Sequence, residues 1–413
     1  MTKFCFVLGK NPILSTAEIL HRTAATGVRY QVVDQTGDVL VIEADGLDPA
    51  TWQHRLGGTV KIGIIDRDYY TAEKLLSSLT PENLPPPVLP DGDRKLTFGF
   101  SLYGPLLRSV HRRVDGIGIA LKRSLKSAGR LSRYVRAPDG ALTAVQVDKN
   151  GMLESGADIL LVAGQHAYFR GRTVTVQEYE EYSARDYGRP RSDARSGMIP
   201  PKLAKIMINL SGAELDQTIL DPFCGSGTIL QEAIAMGFRS VVGSDISPKA
   251  VDDTKANLSW LTKNFTQPNI TARLFLADVR GLSRSIPPAT IDAVVTEPYL
   301  GPPQSGHSNL TATLASVEEL ERLYRDAFAT FATMLRPNGR VVIIFPLFKN
   351  DQGTFSLKIL EQLDTTGFSR LNPLPEATFR FARIGPTARG SILYQRPGQR
   401  VQREVFIFQR KKS

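Results

Sequence analysis

Residues 221–228 read Asp-Pro-Phe-Cys-Gly-Ser-Gly-Thr, and they directly follow the stretch Thr218–Leu220. This order predicts a strand that runs into a carboxylate, then a tight glycine turn, then a helix that begins at the end of the stretch. Gly225 and Gly227 permit a turn that side chains would block, and they let backbone N–H groups approach a ligand. Asp221 would lie at the carboxyl end of its strand, where open parallel sheets bind ligands, and its charge suits a sulfonium or ammonium group.

Two well-known phosphate-binding loops do not fit this stretch. A dinucleotide-binding loop would have a third glycine three residues after Gly227, where this chain has Leu230. A P-loop would end in Gly-Lys-Ser or Gly-Lys-Thr, and residues 221–228 lack that ending. An ordinary strand–turn–helix connection without a ligand is the alternative interpretation.

Three more strands are predicted downstream, and each ends at or near an acidic side chain. The strands are Ser240–Asp245, Arg273–Val279 with Asp278 near its end, and Asp292–Thr296, which runs into Glu297. A random surface would not place acids so regularly at strand ends. The set as a whole is therefore more specific than any one of its members.

The position of each acid in the chain indicates which group of a ligand it would bind. Asp245 follows Asp221 at close to the spacing of about 20 residues at which an acid binds ribose hydroxyls in such folds. A carboxylate at Asp278 suits a hydrogen bond from an adenine amino group. Ser247-Pro248 predicts the N-cap and the first residue of the next helix. Taken alone, Asp245 is equally compatible with a surface turn.

Four parts of the chain together carry a family resemblance: Asp221–Thr228, Gly243–Asp245, Asp278 and Glu297–Tyr299. In this combination they resemble the class I S-adenosylmethionine-dependent methyltransferases that modify exocyclic amino groups. More narrowly, the chain is similar to the THUMP-domain tRNA guanine-N2-methyltransferases that act at guanosine 10. Upstream, Arg185–Pro190 and the amphipathic stretch Pro200–Leu210 resemble that family's linker and a helix that helps close its cofactor pocket, although ordinary packing would also explain the helix.

The resemblance implies S-adenosylmethionine as the cofactor. It also implies an α/β fold in which ferredoxin-like and THUMP α+β domains precede a Rossmann-like class I methyltransferase sheet. The residues implied to bind the cofactor are Asp221, Phe223, Gly225, Gly227, Thr228, Asp245, Ile246, Asp278 and Val279.

The catalytic residues implied by the resemblance are Glu297, Pro298 and Tyr299. Glu297 would accept hydrogen bonds from the exocyclic amino group, Pro298 would fix the turn, and Tyr299 would stack on a base flipped out of its helix. The family pattern has an acid or amide, two prolines and an aromatic residue. If Glu297 replaces the acid, Tyr299 takes the place of the second proline; if Tyr299 is the aromatic residue, Thr296 takes the place of the acid.

Length and composition are consistent with a large RNA enzyme. The 413 residues predict two or three domains, and the net charge of +10 favours a polyanionic partner, which the resemblance identifies as tRNA. Cys5 and Cys224 form neither a disulfide framework nor a metal-ligand cluster, so we expect a reducing, cytoplasmic location and no bound metal. We detect no signal peptide and no stretch apolar enough to span a membrane.

We expect four segments: a ferredoxin-like domain at residues 1–70, a THUMP RNA-binding domain at 71–177, a linker at 178–200 and the methyltransferase domain at 201–413. Helices are expected to begin at the capping boxes Ser15–Glu18 and Ser316–Glu319, and Leu142–Val147 is expected to be a strand. The end of the chain is expected to form a hairpin.

A basic run in the second segment predicts an RNA-binding surface. Its members are Arg112, Arg113, Lys122, Arg123, Lys126, Arg130 and Arg133. Tyr134 is expected to add a stacking ring. A solvated helix face would show the same charges, so the predicted enzyme beside the run is what favours RNA.

The predicted function is transfer of a methyl group from S-adenosylmethionine to N2 of a guanosine in tRNA, at position 10. One alternative is a ribosomal RNA guanine-N2 or adenine-N6 methyltransferase. The other is an RNA-binding adaptor that has lost transfer activity through the altered Glu-Pro-Tyr motif. Some members of the resembled family work with a small activator subunit, and the sequence does not decide whether this chain needs one.

Overall fold

The computed structural model describes residues 1–84, 95–105, 110–192, 198–265, 269–302, 310–350, 353–374, 385–395 and 401–412. The chain divides into two compact units. The first contains Met1–Thr16 and Gly27–Tyr179, and the second contains Ala17–Thr26, Glu180–Pro375 and Gly385–Ser413. Among the described residues, no helix is both long enough and apolar enough to cross a membrane.

The N-terminal part of the chain has the predicted βαββαβ order. It consists of β1 (Thr2–Leu8), α1 (Pro12–Ala25), β2 (Tyr30–Gln35), β3 (Val39–Ala44), α2 (Pro49–Arg55) and β4 (Thr59–Tyr69). The strands are antiparallel and lie in the order β2-β3-β1-β4. This is the element order of ferredoxin-like folds.

The same sheet continues into the next region. The elements there are α3 (Ala72–Ser77), β5 (Leu96–Tyr103), α4 (His111–Ser127), β6 (Ser132–Val135), α5 (Ala144–Lys149), β7 (Gly156–Ala163) and β8 (Tyr168–Val176). The full order is β2-β3-β1-β4-β8-β7-β5-β6, with β4 antiparallel to β8 and β5 parallel to its two neighbours. Strands that we assigned to two segments, residues 1–70 and 71–177, therefore share one sheet.

The second unit is built on a second sheet. Its strands are β9 (Thr218–Asp221), β10 (Ser240–Asp245), β11 (Thr271–Leu276), β12 (Ile291–Thr296), β13 (Leu335–Asn350), β14 (Gly353–Ser356), β15 (Phe368–Leu371), β16 (Ile392–Tyr394) and β17 (Val401–Arg410). The order is β11-β10-β9-β12-β13-β17-β15, and β14 and β16 pair with β13 and β17. Strands β9 to β13 are parallel to one another, and β17 is antiparallel to β13.

A short helix, α6 (Tyr179–Ser183), precedes the helices that pack on this sheet. Those helices are α7 (Pro201–Ser211), α8 (Thr228–Ala235), α9 (Pro248–Asn264), α10 (Leu310–Met334) and α11 (Leu360–Thr365). The central strands carry consecutive buried apolar residues, such as those of Val341–Phe345, which is the pattern of a sheet covered on both faces. The predicted α/β class with a Rossmann-like sheet is confirmed. The predicted terminal hairpin is also present, since β16 pairs antiparallel with β17.

Both predicted capping boxes were wrong. In α1 the side chain of Asn11 accepts a hydrogen bond from the backbone N–H of Leu14 at 3.1 Å, whereas Ser15 lies inside the helix. In α10 the hydroxyl of Ser316 donates to the carbonyl of Ala312, again from within the helix. Serine caps helices and also occurs inside them, so the pattern placed both starts several residues too late.

The predicted strand Leu142–Val147 was also wrong. The chain instead forms α5, which begins with a capping box: Thr143 Oγ1 accepts from the backbone N–H of Gln146, and the Gln146 side chain accepts from the backbone N–H of Thr143. The apolar residues of this stretch favoured a strand. In the structure the two capping side chains bind backbone N–H groups at the start of a helix, which in a strand would need a neighbouring strand as partner.

A buried ion pair lies between the strands of the first unit. Lys61 Nζ is 2.7 Å from Asp158 Oδ2, and both side chains are almost completely buried. Asp158 also accepts hydrogen bonds from the hydroxyls of Ser101 (2.6 Å) and Thr173 (2.7 Å). The network joins β4, β5, β7 and β8, and its charges stay inside only because each has partners.

We expect Lys61→Met to lower the unfolding free energy by about 3–5 kcal/mol, because it leaves the Asp158 carboxylate buried without its cation. The double variant Lys61→Met/Asp158→Leu should recover most of that loss, since no unpaired charge remains. Equilibrium urea unfolding of the full chain measures both. As a control, Lys255→Gln breaks the exposed pair with Asp252 and should change stability little. A double variant less stable than Lys61→Met would contradict this account.

Candidate functional site

The ends of four parallel strands bring the predicted acids to one edge of the sheet. Asp221 is the last residue of β9, Asp245 is the last residue of β10, and Glu297 follows directly after β12. Asp278 lies two residues beyond the end of β11. Because the strands are parallel, their carboxyl ends share an edge, which is where such sheets bind ligands.

The turn after β9 has the backbone that its glycines predict. Gly225 and Gly227 have φ values of 53° and 83°, a region that residues with side chains rarely adopt. A Cβ on Gly227 would lie 2.9 Å from the side chain of Thr254, so the turn packs tightly on α9. A Cβ on Gly225 would have nothing within 4 Å, so this glycine borders open space.

Asp245 joins the loops that follow β9 and β10. Its Oδ2 accepts from the backbone N–H of Gly225 at 3.0 Å, and its Oδ1 accepts from the backbone N–H of Ser247 at 2.9 Å. Ser247 also caps α9 as predicted, by accepting from the backbone N–H of Ala250. The carboxylate thus shapes the glycine turn and retains acceptor capacity for a ligand, since each oxygen has two lone pairs.

Asp221 is the most deeply buried acid of the site, with 2% of its surface exposed. Its Oδ1 accepts hydrogen bonds from the hydroxyl of Thr296 at 2.7 Å and from the backbone N–H of Phe223 at 3.2 Å. Burial raises the pKa of the Asp221 carboxyl to about 7, and the nearby charges of Asp245 and Glu297 add to the rise. A cation bound beside this group would relieve that unfavourable environment.

Asp278 differs from the other acids because its charge is satisfied locally. It accepts from the backbone N–H of Arg280 at 2.9 Å and pairs with the Arg280 guanidinium, which holds the pKa of the Asp278 carboxyl below its usual value. It caps the short 3-10 helix Val279–Arg284. Val279 itself is buried in the core, whereas Ile246, after β10, is 69% exposed.

Two further predicted cofactor residues lie at the start of α8 and just before it. Phe223 is half-buried and packs against the core of the second unit. The Thr228 hydroxyl accepts a hydrogen bond at 2.7 Å from Arg189, whose side chain is buried. We did not predict a role for Arg189, although it belongs to the stretch Arg185–Pro190 that suggested a linker.

The loop after β12 contains the predicted catalytic residues. Glu297 forms an ion pair with Arg403 on β17. Pro298 is buried, and the side chain of Tyr299 is 52% exposed, which leaves its ring accessible for stacking. The Tyr299 carbonyl accepts a hydrogen bond from the Tyr324 hydroxyl at 3.0 Å. Thr296, not Glu297, contacts Asp221. Both residues therefore lie at the site, and either of them can take the place of the acid in the family pattern.

Asn257 is a site residue that the sequence did not indicate. Its Nδ2 donates to the carbonyls of Ser226 (2.8 Å) and Arg191 (2.9 Å), and its Oδ1 accepts from the backbone N–H of Arg191 at 3.0 Å. It lies inside α9, where the helical pattern marks it only as a buried position. It fixes the glycine turn to the segment that precedes α7.

The segment that leads into the second unit is anchored by a further ion pair. Arg185 Nε is 2.8 Å from Glu232 on α8, and both side chains are buried. Arg185 also pairs with Glu181 at 3.0 Å. The sequence marked Arg185 only as part of a family-like linker stretch.

Most side chains of the basic run in the first unit are exposed. They are Arg112, Arg113, Lys122, Arg123, Lys126 and Arg133. Arg113 pairs with Glu73 at 2.6 Å, and Arg130 is half-buried. The expected stacking role of Tyr134 was wrong: its ring packs on Phe98 and covers Gly118, and its hydroxyl donates to Asp115.

The chain is similar to known methyltransferases. The family model described as "RMKL-like, methyltransferase domain" matches residues 189–362. The tRNA (guanine(10)-N2)-dimethyltransferase of Methanothermobacter thermautotrophicus is 36% identical over 151 residues, which cover 36% of this chain and 39% of that protein. The chain therefore spans less than half the length of this relative. A crystal structure of TrmN from Thermus thermophilus is 18% identical, covers 99% of this chain and 100% of its own, and has a TM-score of 0.53, which supports the fold.

A shorter relative is covered more fully. The protein of Methanothermococcus thermolithotrophicus named "Probable tRNA (guanine(10)-N2)-dimethyltransferase" is 30% identical over 138 residues, which cover 33% of this chain and 82% of that protein. The matched family model begins at Arg189 and includes the glycine turn, Asp245, Asp278 and Glu297. The chain belongs to the methyltransferase family that includes these tRNA (guanine-N2)-dimethyltransferases.

Proposed function

We propose that this chain transfers a methyl group from S-adenosylmethionine to N2 of a guanosine in tRNA, at position 10. The observation that carries the proposal is the meeting of Asp221, Asp245 and the Gly225–Gly227 turn at the edge of the sheet where Glu297–Tyr299 also begins. The names of the similar archaeal proteins favour tRNA and guanine 10 over ribosomal RNA or adenine.

The described residues fit S-adenosylmethionine. Open space at Gly225 leaves room for the ligand beside exposed backbone, and Asp245 suits the ribose hydroxyls. Exposed Ile246 offers an apolar surface to the adenine, while Asp278 and the backbone of Val279 suit its polar edge. The buried Asp221 carboxylate supplies negative charge for the positively charged end of the ligand. Phe223 lies in the turn after β9, and Thr228 begins the helix that follows this turn.

The chain's own residues would orient the guanine. S-adenosylmethionine supplies the methyl group: the N2 lone pair forms a bond to that carbon, the carbon–sulfur bond breaks with its electrons passing to sulfur, and N2 then loses a proton. Glu297 would accept the amino hydrogens, Tyr299 would stack on the base, and Pro298 would restrict the turn between them. Such positioning contributes up to about 7–11 kcal/mol in favourable cases, and stacking about 1–3 kcal/mol per base.

The RNA-binding part of the proposal rests on the first unit, at residues 71–177 that we assign to a THUMP domain. Its exposed basic side chains Arg112, Lys122, Arg123, Lys126 and Arg133 form no ion pair with the described residues. Charges of this kind contact phosphates and fix the register of the RNA without reading its sequence. Arg113 and Arg130 would contribute less, because one is paired with Glu73 and the other is half-buried.

The direct test is transfer of labelled methyl groups to an unmodified tRNA transcript, followed by mapping of the product. We expect N2-methylated guanosine at position 10 and no product on a matched transcript with adenosine at that position. Product in ribosomal RNA, or N6-methylated adenosine, would replace the proposed target. Binding of S-adenosylhomocysteine and tRNA without any transfer would favour an adaptor that has lost activity.

Asp245→Ala and Glu297→Gln should affect different steps. Asp245→Ala removes two hydrogen bonds that shape the glycine turn, so we expect the dissociation constant for S-adenosylhomocysteine to rise roughly 10- to 100-fold. Glu297→Gln keeps the side-chain size and should slow transfer roughly 100-fold while leaving cofactor affinity nearly unchanged. Calorimetry and single-turnover assays separate the two effects. If either variant loses both properties equally, the assigned roles are wrong.

Asp221 should make the stability of the cofactor-free protein depend on pH. Its folded-state pKa is raised from 3.8 to about 7, so the neutral carboxyl stabilises the fold at low pH, and this contribution is lost as pH rises through about 7. Relative to wild type, Asp221→Asn should therefore gain unfolding free energy with rising pH, by at most about 1.4 kcal/mol per pH unit. Urea unfolding over a pH series measures the difference. A pH-independent difference would show that the Asp221 pKa is not raised.

A further inference from the structure

Arg403 is the basic partner of Glu297, and it comes from a distant part of the chain. It lies on β17, opposite Pro346 of the neighbouring β13. The sheet order places β13 between β12 and β17, so Arg403 reaches across β13 to the loop that follows β12. Its Nε contacts Glu297 Oε1, and the two side chains are only 9% and 12% exposed.

We propose that Arg403 is a positioning residue for methyl transfer, which holds the Glu297 carboxylate in the orientation that accepts the amino hydrogens of the target base. This inference rests on the proposed function, because it concerns the acceptor of that reaction. Arg403 itself would touch neither the base nor the methyl donor.

The physical argument begins with the freedom of a glutamate side chain. An unrestrained glutamate samples several rotamers, and ordering such a side chain costs up to about 2 kcal/mol. The ion pair with Arg403 removes that freedom before the base arrives. A carboxylate has about four lone-pair sites, which is more than one guanidinium fills. A displacement of about 1 Å at a reacting group can slow a reaction roughly 100-fold, so the orientation of this carboxylate matters.

A second contact holds the same loop and supports the inference. The hydroxyl of Tyr324, on α10, donates to the carbonyl of Tyr299. The loop is therefore fixed through the side chain of Glu297 at one end and through the backbone of Tyr299 at the other. Both fixing residues lie outside the Glu-Pro-Tyr motif, and both are buried.

The next residue on β17 provides a matched control. Glu404 follows Arg403 and so points to the opposite face of the sheet. It is buried and forms an ion pair with Arg389. Breaking the Arg389–Glu404 pair therefore removes a comparable ion pair from the same strand without touching Glu297.

The experiment compares single-turnover methyl transfer to tRNA, binding of S-adenosylhomocysteine and the thermal midpoint of Arg403→Gln, Arg403→Lys, Glu297→Gln and Arg389→Gln. We expect Arg403→Gln to slow transfer roughly 100-fold with cofactor affinity unchanged, and Arg403→Lys to recover part of the rate because it restores the charge. Arg389→Gln should lower the thermal midpoint and leave the rate unchanged.

The double variant Arg403→Met/Glu297→Gln tests whether Arg403 acts through Glu297. This double variant leaves no unpaired buried charge, so we expect it to fold even if Arg403→Gln does not. Its rate can then be compared with that of Glu297→Gln. We expect it to be no slower than Glu297→Gln alone. A double variant slower by the full Arg403 effect, or equal rate losses in Arg403→Gln and Arg389→Gln, would overturn the positioning role. A wild-type rate in Arg403→Gln would overturn this inference alone, whereas wild-type protein that binds S-adenosylhomocysteine but methylates no RNA would overturn the proposed function and this inference together.

Discussion

The carboxylate of Asp245 holds together the two loops on which the candidate site is built. One oxygen fixes the glycine turn after β9, and the other fixes the start of α9. These hydrogen bonds give the turn its shape without a ligand, so a ligand does not have to supply the free energy of ordering it. Gly225, whose N–H donates to Asp245, is the residue of this turn that borders open space.

The acids at this edge are not equivalent in their electrostatics. Asp278 and Glu297 each have an arginine partner. Asp221 and Asp245 are held by hydroxyl and backbone N–H groups, and within the described ranges they form no ion pair. The uncompensated negative charge is therefore concentrated beside the glycine turn. A cationic ligand gains most at that point, and a pyrophosphate would be repelled there.

The sequence predicted the parts of the site that depend on neighbours along the chain. The ends of β9 and β10, the glycine turn and the Ser247 cap follow from short-range patterns, and the structure has each of them. The predicted strand Arg273–Val279 ends earlier, at Leu276, because Asp278 caps a 3-10 helix instead. It could not predict contacts between distant segments. Arg403 follows Glu297 by 106 residues, and nothing in its own strand distinguishes it from a surface arginine. Tyr324 and Asn257 fit the apolar faces of their helices, so their hydrogen bonds to the site loops gave no separate signal. The two wrong helix starts have a related cause, because a serine followed three residues later by a glutamate also occurs inside a helix, as at Ser15 and Ser316.

The second unit cannot be separated from the chain at an arbitrary residue, because three of its buried polar groups have partners upstream of α7. These partners are Arg185, Arg189 and the backbone of Arg191. Glu232 takes its cation from Arg185, the Thr228 hydroxyl takes its donor from Arg189, and Asn257 is satisfied by the backbone of Arg191. A fragment that starts at the first residue of α7 would leave a carboxylate, a hydroxyl and an amide inside the protein without these partners. A fragment that keeps these partners has to start before Glu181, well upstream of the first strand of its sheet, and it would still lack Ala17–Thr26 of the same unit.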